Sequence, residues 1–108
     1  GFNTRFEDGK GTNPEELIGA AHASCFSMAL SMILGEKGLQ ADSIETKATV
    51  SLEKKDAGFE VTKVHLDLTA SVPGADKVSF DECAKTAKEN CPISKLLNAE
   101  ITMDAKLV

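Results

Sequence analysis

Residues 13 to 34, NPEELIGAAHASCFSMALSMIL, run apolar around nearly the whole helical circumference, broken by small residues, His22 and a few serines. Asn13 suits a helix N-cap, Pro14 the first helical position, and Glu16 the return bond of a capping box. Gly35 and Gly38 supply the stop. A helix without a polar face has to be buried on all sides. The period then changes to two. Residues 44 to 54, IETKATVSLEK, and 59 to 72, FEVTKVHLDLTASV, alternate apolar and polar, and Asp56-Ala57-Gly58 between them is a hairpin turn signal, which predicts an antiparallel pair. Pro73-Gly74 ends the second strand. Ser79 is expected to cap a helix reaching Asn90, with Phe80, Cys83, Ala84 and Ala87 on its inner side. Cys91-Pro92 restarts a short helix, Ile93 to Leu97, and Ala99 to Val108 alternates as a third strand. These elements predict an α+β fold in which an antiparallel sheet packs on a long buried central helix. Three strands and a second helix leave part of that helix uncovered, so self-association as a homodimer with the long helices packed together is expected.

Composition narrows the class. The chain has 108 residues, 12 Lys plus Arg against 17 Asp plus Glu, and a formal charge of -5. That is one domain spanning residues 1 to 108. The acidic balance and the absence of Trp and Tyr argue against a nucleic-acid partner, which needs a positive footprint or aromatic platforms. No apolar run reaches about 18 residues and no basic start precedes an apolar stretch, so neither a membrane span nor a signal peptide is predicted, and the cytoplasm is the expected compartment. The first segment, GFNTRFEDGKGTNP, begins without Met and reads as the middle of a longer chain, so an N-terminal segment is expected to be missing. Cys25, Cys83 and Cys91 are an odd count without a secretory signature, which points to thiol chemistry or burial rather than a disulfide scaffold.

Cys25 lies mid-helix among Ile18, Ala21, His22, Met28, Ala29 and Met32 at helical spacing. It reads either as a small core residue or as a nucleophile, and the second requires a lowered pKa. The helix dipole cannot provide it, because Cys25 is roughly 18 Å along the helix from Asn13. A cation has to come from elsewhere. Arg5, between Phe2 and Phe6, is the single arginine of the chain, and its guanidinium stays charged in apolar surroundings. Glu15 reads as a first-turn charge or as the carboxylate that orients the arginine. It stands about 15 Å from Cys25 along the helix, so the two share a site only if two such helices cross antiparallel in a dimer. Cys91, ahead of Pro92, sits where free amide donors would stabilise a thiolate, and on local grounds is the more acidic cysteine. Cys83 reads as core. His22 and Cys25 make at best a weak metal pair, His65 lies in an alternating strand, and no nucleotide or dinucleotide fingerprint is present, so neither metal nor cofactor is expected.

The stretch GTNPEELIGAAHASCFSMAL, with NPE ten residues ahead of a helical cysteine, and the later NCPISKLL before a terminal strand together resemble the OsmC/Ohr family across essentially the whole chain. Members usually carry further strands ahead of the GFNTRF segment. The resemblance implies an OsmC-like intertwined homodimer acting as a thiol-dependent peroxidase, preferring organic hydroperoxides to hydrogen peroxide. It implies Cys25 as the peroxidatic cysteine, Cys91 as the resolving one, and Arg5 and Glu15 as the pair that activates the thiol. It also implies an intramolecular disulfide after turnover, reduced by dithiols such as lipoyl groups on proteins. The family assigns the attack to Cys25, whereas helix-end physics favours Cys91. Phe2, Phe6, Leu17, Ile18, Phe26 and Met28 are candidates to line an apolar mouth. The competing readings are a non-catalytic redox-sensing thiol protein and a dimer whose pocket binds a small apolar ligand.

Overall fold

The computed structural model describes residues 13–108. Helix α1 spans Pro14–Glu36, β1 Ser43–Lys55, β2 Gly58–Ser71, α2 Lys77–Asn90, α3 Pro92–Leu96 and β3 Glu100–Leu107. Asn13 caps α1 as expected, its Oδ1 accepting the Glu16 N–H at 2.9 Å. The helix runs two residues past its predicted end, and Gly38, at φ 75°, makes the left-handed turn out of it.

The β1–β2 hairpin is antiparallel from Ser43 opposite Ser71 to Lys55 opposite Gly58, with one register shift where Ser51 faces Lys63 and Leu52 faces Val61. β3 instead runs parallel to β2, from Lys63 beside Glu100 to Ala70 beside Leu107, and the order is β1-β2-β3. The sheet is therefore mixed, which corrects the antiparallel expectation. Between β2 and β3 the chain makes a crossover through α2 and α3, and only such a connection returns it to the starting end of β2 for a parallel neighbour. The α2 cap is also corrected. Asp76, not Ser79, is the N-cap, and its Oδ1 accepts the Ser79 N–H at 2.8 Å. A carboxylate is as good a cap as a hydroxyl and gains from the helix dipole.

Val64, Leu66, Leu68 and Ala70 on alternate positions of β2 meet Phe26, Leu30 and Leu34 of α1 and Phe80, Cys83, Ala84 and Ala87 of α2 in one buried core. A Cβ built on Gly19 would stand 3.2 Å from the Ala48 carbonyl oxygen, so the glycine lets α1 approach β1 closely. The Ser27 hydroxyl, 2.7 Å from Thr46 Oγ1, ties the same pair. The buried stripe of α1 is Gly19, His22, Phe26, Leu30 and Leu34. Its opposite face is not covered by the described residues: Leu17 is 60% exposed, Met28 71% and Met32 65%. The helix is thus half-buried rather than buried all round. Its length and a mean hydropathy of 1.7 also match a membrane-spanning helix, which corrects the expectation that no segment reaches that size. Its packed stripe and its hydroxyl bond to β1 are those of a core helix.

Candidate active site

α1 and the Cys91-Pro92-Ile93 turn bring two cysteines together. Cys91 ends α2, its N–H bonding the Ala87 carbonyl at 2.9 Å, and immediately begins α3. Its thiol reaches Cys25 in hydrogen-bonding contact, and the Ile93 N–H donates to the Cys25 sulfur. The amide at the start of α3 therefore serves the cysteine of the other helix. Cys91 makes no side-chain cap bond of its own. All three cysteines are free thiols; Cys83, as expected, is packed in the core.

Exposure separates the pair. Cys91 is fully buried, whereas Cys25 is half-buried and lines an apolar cleft of about 1090 Å³. Ala21, Met28, Ala29, Met32 and Ile33 form its wall from α1, and Asn90, Pro92 and Ile93 face them across the Cys25 thiol. A small molecule entering the cleft meets Cys25 and not Cys91.

Burial pushes the Cys25 thiol above its ordinary 9.0, and the Cys91 thiol adds to the rise, while the Ile93 N–H works in the opposite sense without reversing it. Desolvation penalises the thiolate, so this environment disfavours the ionised form of Cys25. A nucleophilic Cys25 needs a positive charge that the described surroundings do not contribute.

Of the other expected site residues, Met28 lines the cleft and Leu17 and Ile18 do not. Phe26 is a correction: it is completely buried in the core on the far side of α1, because one residue past Cys25 the helix has turned about 100°. Glu15 lies in the first turn of α1, half-buried and far along the helix from Cys25. Arg5, Phe2 and Phe6 fall outside the described residues. Sequence reasoning missed Ala29 and Ile33 as wall residues, although they follow Cys25 at helical spacings of four and eight.

Both histidines acquire partners that periodicity did not indicate. His22 is buried, its Nε2 2.7 Å from Ser94 Oγ, so it does not join Cys25 as a ligand pair. His65 stands on the polar sheet face with Nδ1 2.6 Å from Thr102 Oγ1 and Nε2 3.3 Å from Asp67 and 3.2 Å from Asp104. These are ligand types for a divalent ion, and alternation plus the pairing of Asp67 with Asp104 puts them on one face. The bonds among them account for their arrangement without an ion.

An α+β domain with a cleft-lining cysteine on its long helix and a second cysteine at the break between two following helices defines a class of thiol protein. Residues 7–106 match the family model described as OsmC-like protein, and the chain belongs to that family. It is 61% identical over 107 residues to Peroxiredoxin OsmC of Escherichia coli strain K12, covering 99% of this chain and 75% of that protein. The crystal structure of the organic hydroperoxide resistance protein OhrB of Bacillus subtilis superposes with a TM-score of 0.73 at 31% identity, over 92% of this chain and 73% of that one. An OsmC-like protein of Vibrio cholerae matches with a TM-score of 0.78 at 26% identity, over 88% of this chain and 64% of its own length.

Proposed function

We propose that this chain is a peroxidase that reduces organic hydroperoxides to alcohols through its cysteines. The observation that carries the reading is the placement of Cys25 in the wall of an apolar cleft with the buried Cys91 thiol and the Ile93 amide on its sulfur. The names of the Escherichia coli and Bacillus subtilis relatives, a peroxiredoxin and a hydroperoxide resistance protein, support it.

The Cys25 thiolate attacks the peroxide oxygen distal to the alkyl group. The O–O bond breaks, the alkoxide takes up a proton and leaves as the alcohol, and Cys25 becomes a sulfenic acid. The Cys91 thiol then attacks that sulfur, forming the Cys25–Cys91 disulfide and releasing water. An external dithiol, such as a lipoyl group, returns both thiols and is itself oxidised to a disulfide. The apolar wall of Ala21, Met28, Ala29, Met32 and Ile33 favours alkyl hydroperoxides over hydrogen peroxide.

Two parts of this reading reach beyond the described residues. Arg5 supplies the positive charge that Cys25 needs, and Glu15 of a second copy orients it. That second copy covers the exposed Leu17, Met28 and Met32 face of α1, leaving the Cys25 end of the cleft open as a composite site in a homodimer. The free cysteines suit the reducing cytoplasm.

Consumption of an organic hydroperoxide with a dithiol reductant tests the reading in the native chain, Cys25→Ser, Cys91→Ser and Arg5→Ala. Turnover is expected to vanish in Cys25→Ser. Cys91→Ser is expected to stop at the sulfenic acid without a disulfide, and Arg5→Ala to lose about 10²-fold or more in rate. Turnover surviving Cys25→Ser, or a sulfenic acid trapped on Cys91, overturns it. Reversible oxidation without turnover in the native chain would make it a redox sensor instead.

A further inference from the structure

His22 is the buried titratable group that the reaction above leaves unused. Its side chain has no exposure, Nε2 is 2.7 Å from Ser94 Oγ, and Nδ1 has no hydrogen-bond partner among the described residues. An orphaned nitrogen in the interior opposes folding, so packing alone would favour an apolar side chain at this position. The Nε2–Ser94 bond forms in either neutral tautomer, with the ring N–H or the Ser94 hydroxyl donating. Burial also lowers the pKa of His22, which disfavours its cationic form.

Its position in the fold shows what the bond does. His22 precedes Cys25 by about one turn of α1, and Ser94 directly follows Ile93, whose amide donates to the Cys25 sulfur. α3 has five residues, no side-chain cap bond and no fully buried residue, and Leu96 is 75% exposed. So short a helix has almost no stability of its own, and its place depends on what anchors it. Half-buried Ile93 and Leu97 pack on the core, and the His22–Ser94 bond adds a directional tie to α1. We propose that His22 is a positioning residue, whose bond to Ser94 holds the first turn of α3 against α1 and keeps the Ile93 amide and the Cys91 thiol on Cys25.

This inference takes its purpose from the peroxidase reading but is tested without peroxide. The reduced 108-residue chain is treated with diamide, which accepts the two electrons and two protons of Cys25–Cys91 closure, and the disulfide is followed by peptide mass spectrometry. Ser94→Ala is expected to slow closure about tenfold, since small misplacements of reacting groups cost rates of that order. Ser94→Thr, which keeps the hydroxyl, is expected to close within about twofold of the native rate, and His22→Leu combined with Ser94→Ala no more slowly than the slower single variant, because both break one bond. If His22→Leu does not fold, the Ser94 pair decides the matter. Closure at the native rate in Ser94→Ala, or a slow Ser94→Thr, overturns the positioning role. A chain inactive toward hydroperoxides that still shows the Ser94 pattern overturns the peroxidase reading and retains this one.

Discussion

The two long faces of α1 are built from the same kinds of residue and do different work. One carries Gly19, His22, Phe26, Leu30 and Leu34 into the sheet and disappears from solvent. The other carries Leu17, Ala21, Met28 and Met32 and stays largely open, with Cys25 at the border between them. The difference lies in what stands opposite. The sheet-facing stripe meets the Val64, Leu66 and Leu68 row of β2, while among the described residues the second stripe meets the end of α2 and the short α3. Apolar residues with nothing across from them among the described residues form a cleft wall rather than a core.

Truncation should separate the faces most sharply. Phe26→Ala is expected to cost about 3–5 kcal/mol in chemical denaturation, the usual range for a buried aromatic. Met28→Ala in dilute solution is expected to cost under about 0.5 kcal/mol. Comparable losses would show that the open face is already covered in the dilute chain. Met32→Glu addresses the open face directly. Placing a charge in the proposed contact between copies should raise the dimer dissociation constant at least about tenfold by sedimentation. A dimer indifferent to that change is not built on this face.

The buried face also carries a pH dependence. Folding lowers the pKa of His22, so the unfolded chain takes up the proton first. The stability this group contributes is complete above its unfolded pKa of 6.5 and is lost as the pH falls through that value. The slope cannot exceed about 1.4 kcal/mol per pH unit, one proton's worth, and His22→Gln should remove it from a series of denaturation curves. An unchanged slope in that variant would assign the acid sensitivity to other groups. Smallest of all is the contrast between two glycines. Gly35→Ala, with open space around the new Cβ, should raise stability by about 0.5–1 kcal/mol. Gly19→Ala gains the same helix propensity but sets its Cβ 3.2 Å from the Ala48 carbonyl, so its melting temperature should fall below that of Gly35→Ala. Equal melting temperatures would mean that α1 sits less tightly on β1.

Much of this architecture was legible locally. The Asn13-Pro14 start of α1, the Asp56-Ala57 hairpin turn and the inner side of α2 all stand where caps, turn chemistry and period place them. The direction of β3 was not, since alternation is the same for parallel and antiparallel neighbours, and strand sense follows from a crossover of two helices. The motifs singled out Cys25 and Cys91, and the fold brings their two thiols together. Phe26 was misplaced because a helix apolar all round gives no periodicity to say which side faces the sheet. His22 with Ser94 escaped notice because 72 residues separate them.

The residues themselves determined the helix and strands and the surplus of apolar surface on α1, because these depend on neighbours close in sequence. Tertiary structure alone decided which α1 stripe became core, that Cys25 and not Cys91 reaches the cleft, and that the amide of Ile93 turns to the cysteine of another helix. Among the described residues, burial and the Cys91 thiol raise the Cys25 thiol pKa. Burial and proximity are properties of groups brought together from distant parts of the chain, and no local pattern encodes them.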